Sequence, residues 1–235
     1  MNKKQHRGFA VVLVILISIA MVASGFSLFF SGSGLPSPDS NSPTNAAADY
    51  QAKKVRLAAI AEQVKANPSN VQLQTDLGNE YYDAGVAAED VAPTEVQENF
   101  KHAVEAYQNV LKTNKDPGVM VDMATAAFKS GDNDLADKSF KEALSIKPEF
   151  LNGLVNYGIF LANAKQDLTG AITQWQKAQS LATDSTEKAQ IGALISQAQN
   201  QLKAPTNNGV TNPATNGLSN PTLKNGQANP ATTGK

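Results

Sequence analysis

The apolar positions of this chain follow two different patterns. From Gly8 to Phe30 the run GFAVVLVILISIAMVASGFSLFF contains no charged residue. As a helix it reaches roughly 34 Å, enough to cross a hydrocarbon core of about 30 Å, so residues 8–30 are expected to form a transmembrane helix. From about Asp49 to Lys203 apolar residues instead recur three and four apart, and proline interrupts them only at positions 68, 93, 117 and 148. This is the period of amphipathic helices that bury one face, and it predicts an all-α domain over residues 46–204. Between the two patterns, residues 31–45 (SGSGLPSPDSNSPTN) carry almost nothing to bury and read as a flexible linker. Residues 205–235, rich in Asn, Thr, Pro and Gly, read as a disordered tail.

Inside the helical stretch the pattern repeats. Met123-Ala124, Gly131, Ala136, Phe140, Ala143 and Pro148 are followed by Tyr157-Gly158, Ala171, Trp175, Ala178 and Thr183, with Ala124 and Gly158 34 residues apart. A period in the thirties is the mark of stacked helical hairpins. In each hairpin, small residues where helices A and B cross let the backbones approach, and one large ring fills the space between them. Phe140 is the expected filler of its hairpin, Gly131 the turn and Pro148 the stop. An earlier unit, Leu77-Gly78, Tyr81 and Gly85 followed by Ala103, Tyr107 and Val110, fits with one irregularity. Gly78 to Ala103 spans 25 residues, against 12 and 13 in the next two units. The extra residues around VAAEDVAPTEVQENF are expected to lengthen the connection and the start of helix B, with Pro93 in its entry and Thr94 near its cap.

The segments LGNEYYDAG, AVEAYQNVL and MATAAFKSGDNDLADKSFKEALSIKP together resemble the tetratricopeptide-repeat (TPR) family. The resemblance covers roughly half of the chain and implies a TPR helical-hairpin solenoid of about three repeats. The insertion departs from the pattern, as does the third repeat, which has Lys165 in place of the turn glycine and lacks the final proline. Flanking helices are expected to close the stack. Asp49 to Ala66 would present Leu57, Ile60, Ala61 and Val64, and a last helix starting at Asp184 and Glu187 would present Ile191, Leu194, Ile195, Ala198 and Leu202. Seven or eight helices are expected outside the membrane segment.

The resemblance also implies a partner groove lined by the A helices. Its candidates are Gln72, Thr75, Asn79, Tyr82 and Asp83 in the first repeat, Val121, Thr125, Phe128 and Lys129 in the second, and Asn152, Val155, Asn156, Ile159 and Asn163 in the third. Mixed amide and apolar groups suit an extended or helical peptide. The cationic clamp that some TPR domains close on a C-terminal carboxylate is missing, since Asp122, Asn152 and Asn156 stand where cations would be needed. A second candidate surface is the acidic insertion, where Glu89, Asp90, Glu95 and Glu98 precede the first cation, Lys101. It is suited to a basic segment of a partner or a divalent cation, although carboxylates spread in this way are usually only a solvated face.

Composition narrows the function. The chain has no cysteine, and its only histidines are His6 and His102, so disulfides, thiolate metal sites and cysteine nucleophiles are excluded. No glycine-rich phosphate loop or nucleophile turn accompanies the carboxylates, so no enzyme, metal or cofactor is expected. A net charge of −1 gives no basis for nucleic-acid binding. Lys3, Lys4 and Arg7 lie in the basic start, residues 1–7, and the next cation after them is Lys53, an asymmetry that keeps the N-terminus cytoplasmic and exports the rest. A cleaved signal peptide with Val22-Ala23-Ser24 as its site is the competing reading, and it too exports the domain, as a secreted protein. The expected function is a membrane-tethered extracytoplasmic scaffold that binds a protein or peptide in an envelope complex. Two alternatives stand beside it. One is an apocytochrome-holding role, from a resemblance of the span, short TPR domain and Trp175 in GAITQWQKA to the TPR proteins of cytochrome c maturation. The other is a self-assembling envelope protein.

Overall fold

The structure, a computed structural model, describes residues 43–203. The expected basic start, the span 8–30, the linker up to residue 42 and the tail 205–235 lie outside the described residues. Among the described residues there are eight helices: α1 (Pro43–Ala66), α2 (Val71–Val91), α3 (Val96–Leu111), α4 (Pro117–Ser130), α5 (Asn133–Ile146), α6 (Leu151–Ala164), α7 (Leu168–Leu181) and α8 (Ser185–Lys203). None of these is long and apolar enough to cross a membrane. Each helix packs on the next, and α4 also packs on α6. The arrangement is a stack of three helical hairpins, α2/α3, α4/α5 and α6/α7, closed by α1 at one end and α8 at the other.

The helices begin where short polar side chains satisfy the free N–H groups of the first turn. Asn70 accepts from Leu73, Asp116 from Gly118 and Val119, Asp132 from Leu135, and Asp167 from Gly170. Asp184 does the same for α8, accepting from Thr186 and Glu187. Pro117 occupies the first turn of α4, where its missing N–H costs nothing. At the end of α4, Gly131 adopts a φ of 91°, and Asp132 N–H reaches back to the Ala127 carbonyl. The third hairpin makes the same reversal one residue later. Lys165 stays right-handed, and Gln166 takes the left-handed position at φ 54°.

Between the two helices of a hairpin, a ring lies on a residue without a side chain. Tyr107 covers Gly78, where a Cβ would come within 2.5 Å of the ring, and Trp175 covers Gly158, where it would come within 2.3 Å of the indole nitrogen. The indole N–H donates to the Val155 carbonyl at 3.0 Å, which satisfies the polar edge of a fully buried side chain. In the middle hairpin the crossing residue is Ala124 and the ring is Phe140, both buried. The Phe140 ring also meets those of Tyr157 and Phe160, with centroids 5.5 and 5.7 Å away.

The first hairpin differs from the expectation in where its extra residues go. They extend the helices: α2 has 21 residues and α3 has 16, against 14 in each of α4 to α7. Only residues 92–95 connect them. Thr94 does not cap α3, which starts after Glu95, a residue in right-handed helical conformation that makes no side-chain cap bond. The insertion also carries a second, smaller core, in which Ala84 and Ala88 of α2 meet Tyr50 and Leu57 of α1. The main core runs from Ala103 to Ala198, and half-buried Tyr81 packs against both. The first helix begins at Pro43, six residues before its expected start, and buries Tyr50, which the expected stripe omitted. Ile60, Ala61 and Val64 are only half-buried. On α8 the apolar face stops at Ala198, and Leu202 is 53% exposed.

Candidate partner groove

The A helices of the three hairpins are α2, α4 and α6. The direct packing of α4 on α6 is an approach that their B-helix partners α5 and α7 do not match, so these two A helices lie on the inner side of the stack. The closeness comes from Gly153 on α6, where a Cβ would meet the Val121 side chain at 3.2 Å. This contact decides the fate of several expected groove residues. Val121 and Val155 are 2% and 0% exposed and belong to the core, as does Ile159 at 8%. All three are withdrawn from the surface on which a partner could lie.

The half-buried candidates are Asn79, Tyr82, Thr125, Phe128, Asn152 and Asn156, joined by Asp83, Asp122 and Asn163. Their orientations are fixed by neighbours. The Asn79 side-chain oxygen accepts from the Tyr107 hydroxyl at 2.8 Å, tying the groove wall to the ring that fills the hairpin. Tyr82 stands edge-on to Phe100 with centroids 5.3 Å apart, and burial pushes its phenol up to about 12. The Thr125 hydroxyl donates to the Val121 carbonyl of its own helix at 2.8 Å. Phe128 meets Phe160 edge-on at 5.5 Å and bridges α4 to α6 while keeping part of its ring at the surface. Lys129 is held by Glu89 at 2.9 Å, so its charge is already matched.

Asp122 is the residue of this wall whose character sequence reasoning missed. Burial, with the like charge of Asp116 adding to it, pushes its carboxyl up to about 8. Its field reaches the Tyr82 and Tyr107 phenols, which places it at the junction of the first two hairpins. Among the described residues it takes part in no ion pair. A signal was present in the sequence: an acid inside the apolar run VMVDMATAAF with no cation three or four residues away on either side.

The acidic insertion does not gather into one patch. Glu95 accepts from the Tyr50 hydroxyl at 2.8 Å and pairs with Lys54 at 3.0 Å. Glu89 pairs with Lys129, and Glu98 lies 3.7 Å from His102. Asp90 is exposed near the end of α2. Among the described residues no group of acids and histidines is placed to hold a metal ion.

No known family's sequence pattern matches this chain, and no curated protein matches it significantly. Among solved structures, a crystal structure of MamA aligns with a TM-score of 0.46 at 15% identity, covering 72% of this chain and 93% of that one. A second crystal structure, of MamA protein, aligns with a TM-score of 0.45 at 15% identity, covering 68% and 87%.

Proposed function

We propose that this domain is a protein-interaction scaffold whose partner segment lies along the inner face of α2, α4 and α6. The observation that carries the reading is the row of half-buried amide, hydroxyl and aromatic side chains on that face, with Phe128 and Tyr82 offering ring surface beside Asn79, Thr125, Asn152 and Asn156. Such a face can hold the backbone and a few apolar side chains of a peptide without chemistry of its own. Trp175 lies in the core against Gly158, so the apocytochrome-holding role has no exposed aromatic residue behind it at that position. The tether belongs to the proposal as well: the charge-free run 8–30 and the cations before it support a membrane anchor with the domain outside the cytoplasm. Confinement near the membrane raises the effective concentration for other membrane-bound proteins.

The test is site-specific photo-crosslinking of the full chain in its own cells, from Phe128 and Asn156 and, as controls, from Lys138 and Lys177, both exposed on the B helices α5 and α7. A defined protein captured only from the first pair, and lost on Thr125→Arg, supports the groove. Equal capture from all four positions counts against it, and capture of a second copy of this chain points to self-assembly. Extraction of cell membranes at alkaline pH checks the anchor: release of the full-length chain into the supernatant would remove the tether from the reading.

A further inference from the structure

The elongated first hairpin has a use that the groove does not draw on. Its extra turns build a seat, and α1 sits in it. Tyr50, Lys53, Lys54 and Leu57 fall at i, i+3, i+4 and i+7, one face of a helix, and all four touch or pair with α2 and α3 or their connection. The Tyr50 hydroxyl donates to Glu95 and accepts from Asn99 at 3.1 Å. Lys54 reaches the same Glu95, Lys53 reaches Asp83 at 3.3 Å, and Arg56 reaches Glu80 at 3.3 Å. Tyr50 and Leu57 close on Ala84 and Ala88. The seat therefore reads an aromatic ring, an aliphatic side chain and cations in a fixed helical register.

The occupant buries few of its own side chains. Tyr50 and Leu57 are the only buried residues among the described side chains of α1. The side chains of Lys54 and Arg56 are 43% and 59% exposed, so their pairs with the seat are of the kind that salt weakens. The core beneath α1 is a small cluster that meets the main one through half-buried Tyr81. One acceptor of the seat is also left over: the second carboxylate oxygen of Glu80 is buried and has no donor, since Arg56 meets only the first. A guanidinium placed as a fork would satisfy both oxygens.

We propose that α1 is an internal stand-in for an external ligand, and that the face of α2 and α3 it covers is a docking surface for a basic amphipathic helix bearing an aromatic residue, an aliphatic residue and Lys or Arg in the register of α1. Release of α1 opens the surface and occupation by the partner helix keeps it open. The charges of the occupant are set by Asp83, Glu80 and Glu95, its ring by the Glu95 and Asn99 pocket, and its aliphatic group by Ala84 and Ala88. This surface is distinct from the inner face of α2, α4 and α6 and does not depend on what binds there.

The experiment has two arms on the full chain. Native-state hydrogen exchange at about 0.02 M and about 0.5 M salt should show the amides of residues 50–66 losing at least tenfold in protection with salt while those of α4 to α7 hold theirs. Then a labelled peptide of residues 43–66 is titrated against the full chain carrying Tyr50→Ala and Leu57→Ala, which frees α1 without touching the seat. Binding at least tenfold tighter than to the unsubstituted chain, and lost when Glu95→Lys is added, is the expected result. Three results would each overturn the proposal: α1 exchanging as slowly as α2 at both salt concentrations, no peptide binding to the released variant while α4 to α7 keep their protection, or loss of protection throughout α4 to α7 on release, which would make α1 integral to the main fold.

Discussion

Gly158 and Trp175 are fitted to each other so closely that neither can change alone. Gly158→Ala drives a methyl into the indole and displaces it from the Val155 carbonyl, and urea denaturation is expected to show a loss of about 1–3 kcal/mol. Because the middle hairpin pairs Ala124 with Phe140, adding Trp175→Phe should recover some of that loss, so the double variant is less destabilised than the sum of the singles. Asp122 makes a prediction of a different kind. From the unfolded value of about 4 up to its folded value of about 8, the native state holds a proton that the unfolded chain releases. Stability is therefore greater on the acid side and falls as pH rises through that window. Asp122→Asn should remove this fall and gain about 1–2 kcal/mol at pH 8 relative to pH 5, since the residue keeps a solvent-facing edge that limits the effect; thermal melts at the two pH values check it. The small residues and rings of the hairpins were legible in the sequence because they recur with the repeat. The burial of Val121 was not, because the pattern counts it as a groove position and its cover comes from the close passage of α4 over Gly153 of α6.

The turns between helices show how the same reversal is made with and without glycine. Nothing lies within 4 Å of a Cβ at Gly131, so its replacement is opposed by backbone conformation alone. Gly131→Ala should cost about 1–2 kcal/mol in chemical denaturation, the penalty of a left-handed residue that carries a side chain. Gln166 already bears that penalty, and Gln166→Gly should raise stability by about 0.5–1 kcal/mol, the relief being partly offset by the greater freedom of glycine in the unfolded chain. The start of α8 was legible in advance, at Asp184 and Glu187. The start of α3 was not, because Pro93 and Thr94 suggested a cap where the chain makes a simple turn. The acids of the insertion read as a bare surface for a related reason. Glu95 pairs with Lys54, 41 residues earlier in α1, and Glu89 with Lys129, 40 residues later in α4, both beyond the reach of any local pattern.

Across the whole molecule, stability is shared unequally between the two cores. The main core is continuous from α3 to α8, with Ile191 and Ala198 of α8 fully buried in it. A chain ending at Asp184 should accordingly lose more than a terminal helix. The apolar face of α7 would be bared, and a lower urea midpoint together with light scattering from soluble aggregates is expected. The closing role of the end helices was legible from their apolar stripes, whereas the division into two cores depends on contacts between α1 and the insertion that no repeat pattern contains. That division has a mechanical consequence. Tension entering from the N-terminal side reaches α1 before any other described helix, and it is expected to break the ion pairs that seat it ahead of the contacts within the hairpins, so that force–extension measurements would register the contour of one helix before the stack opens.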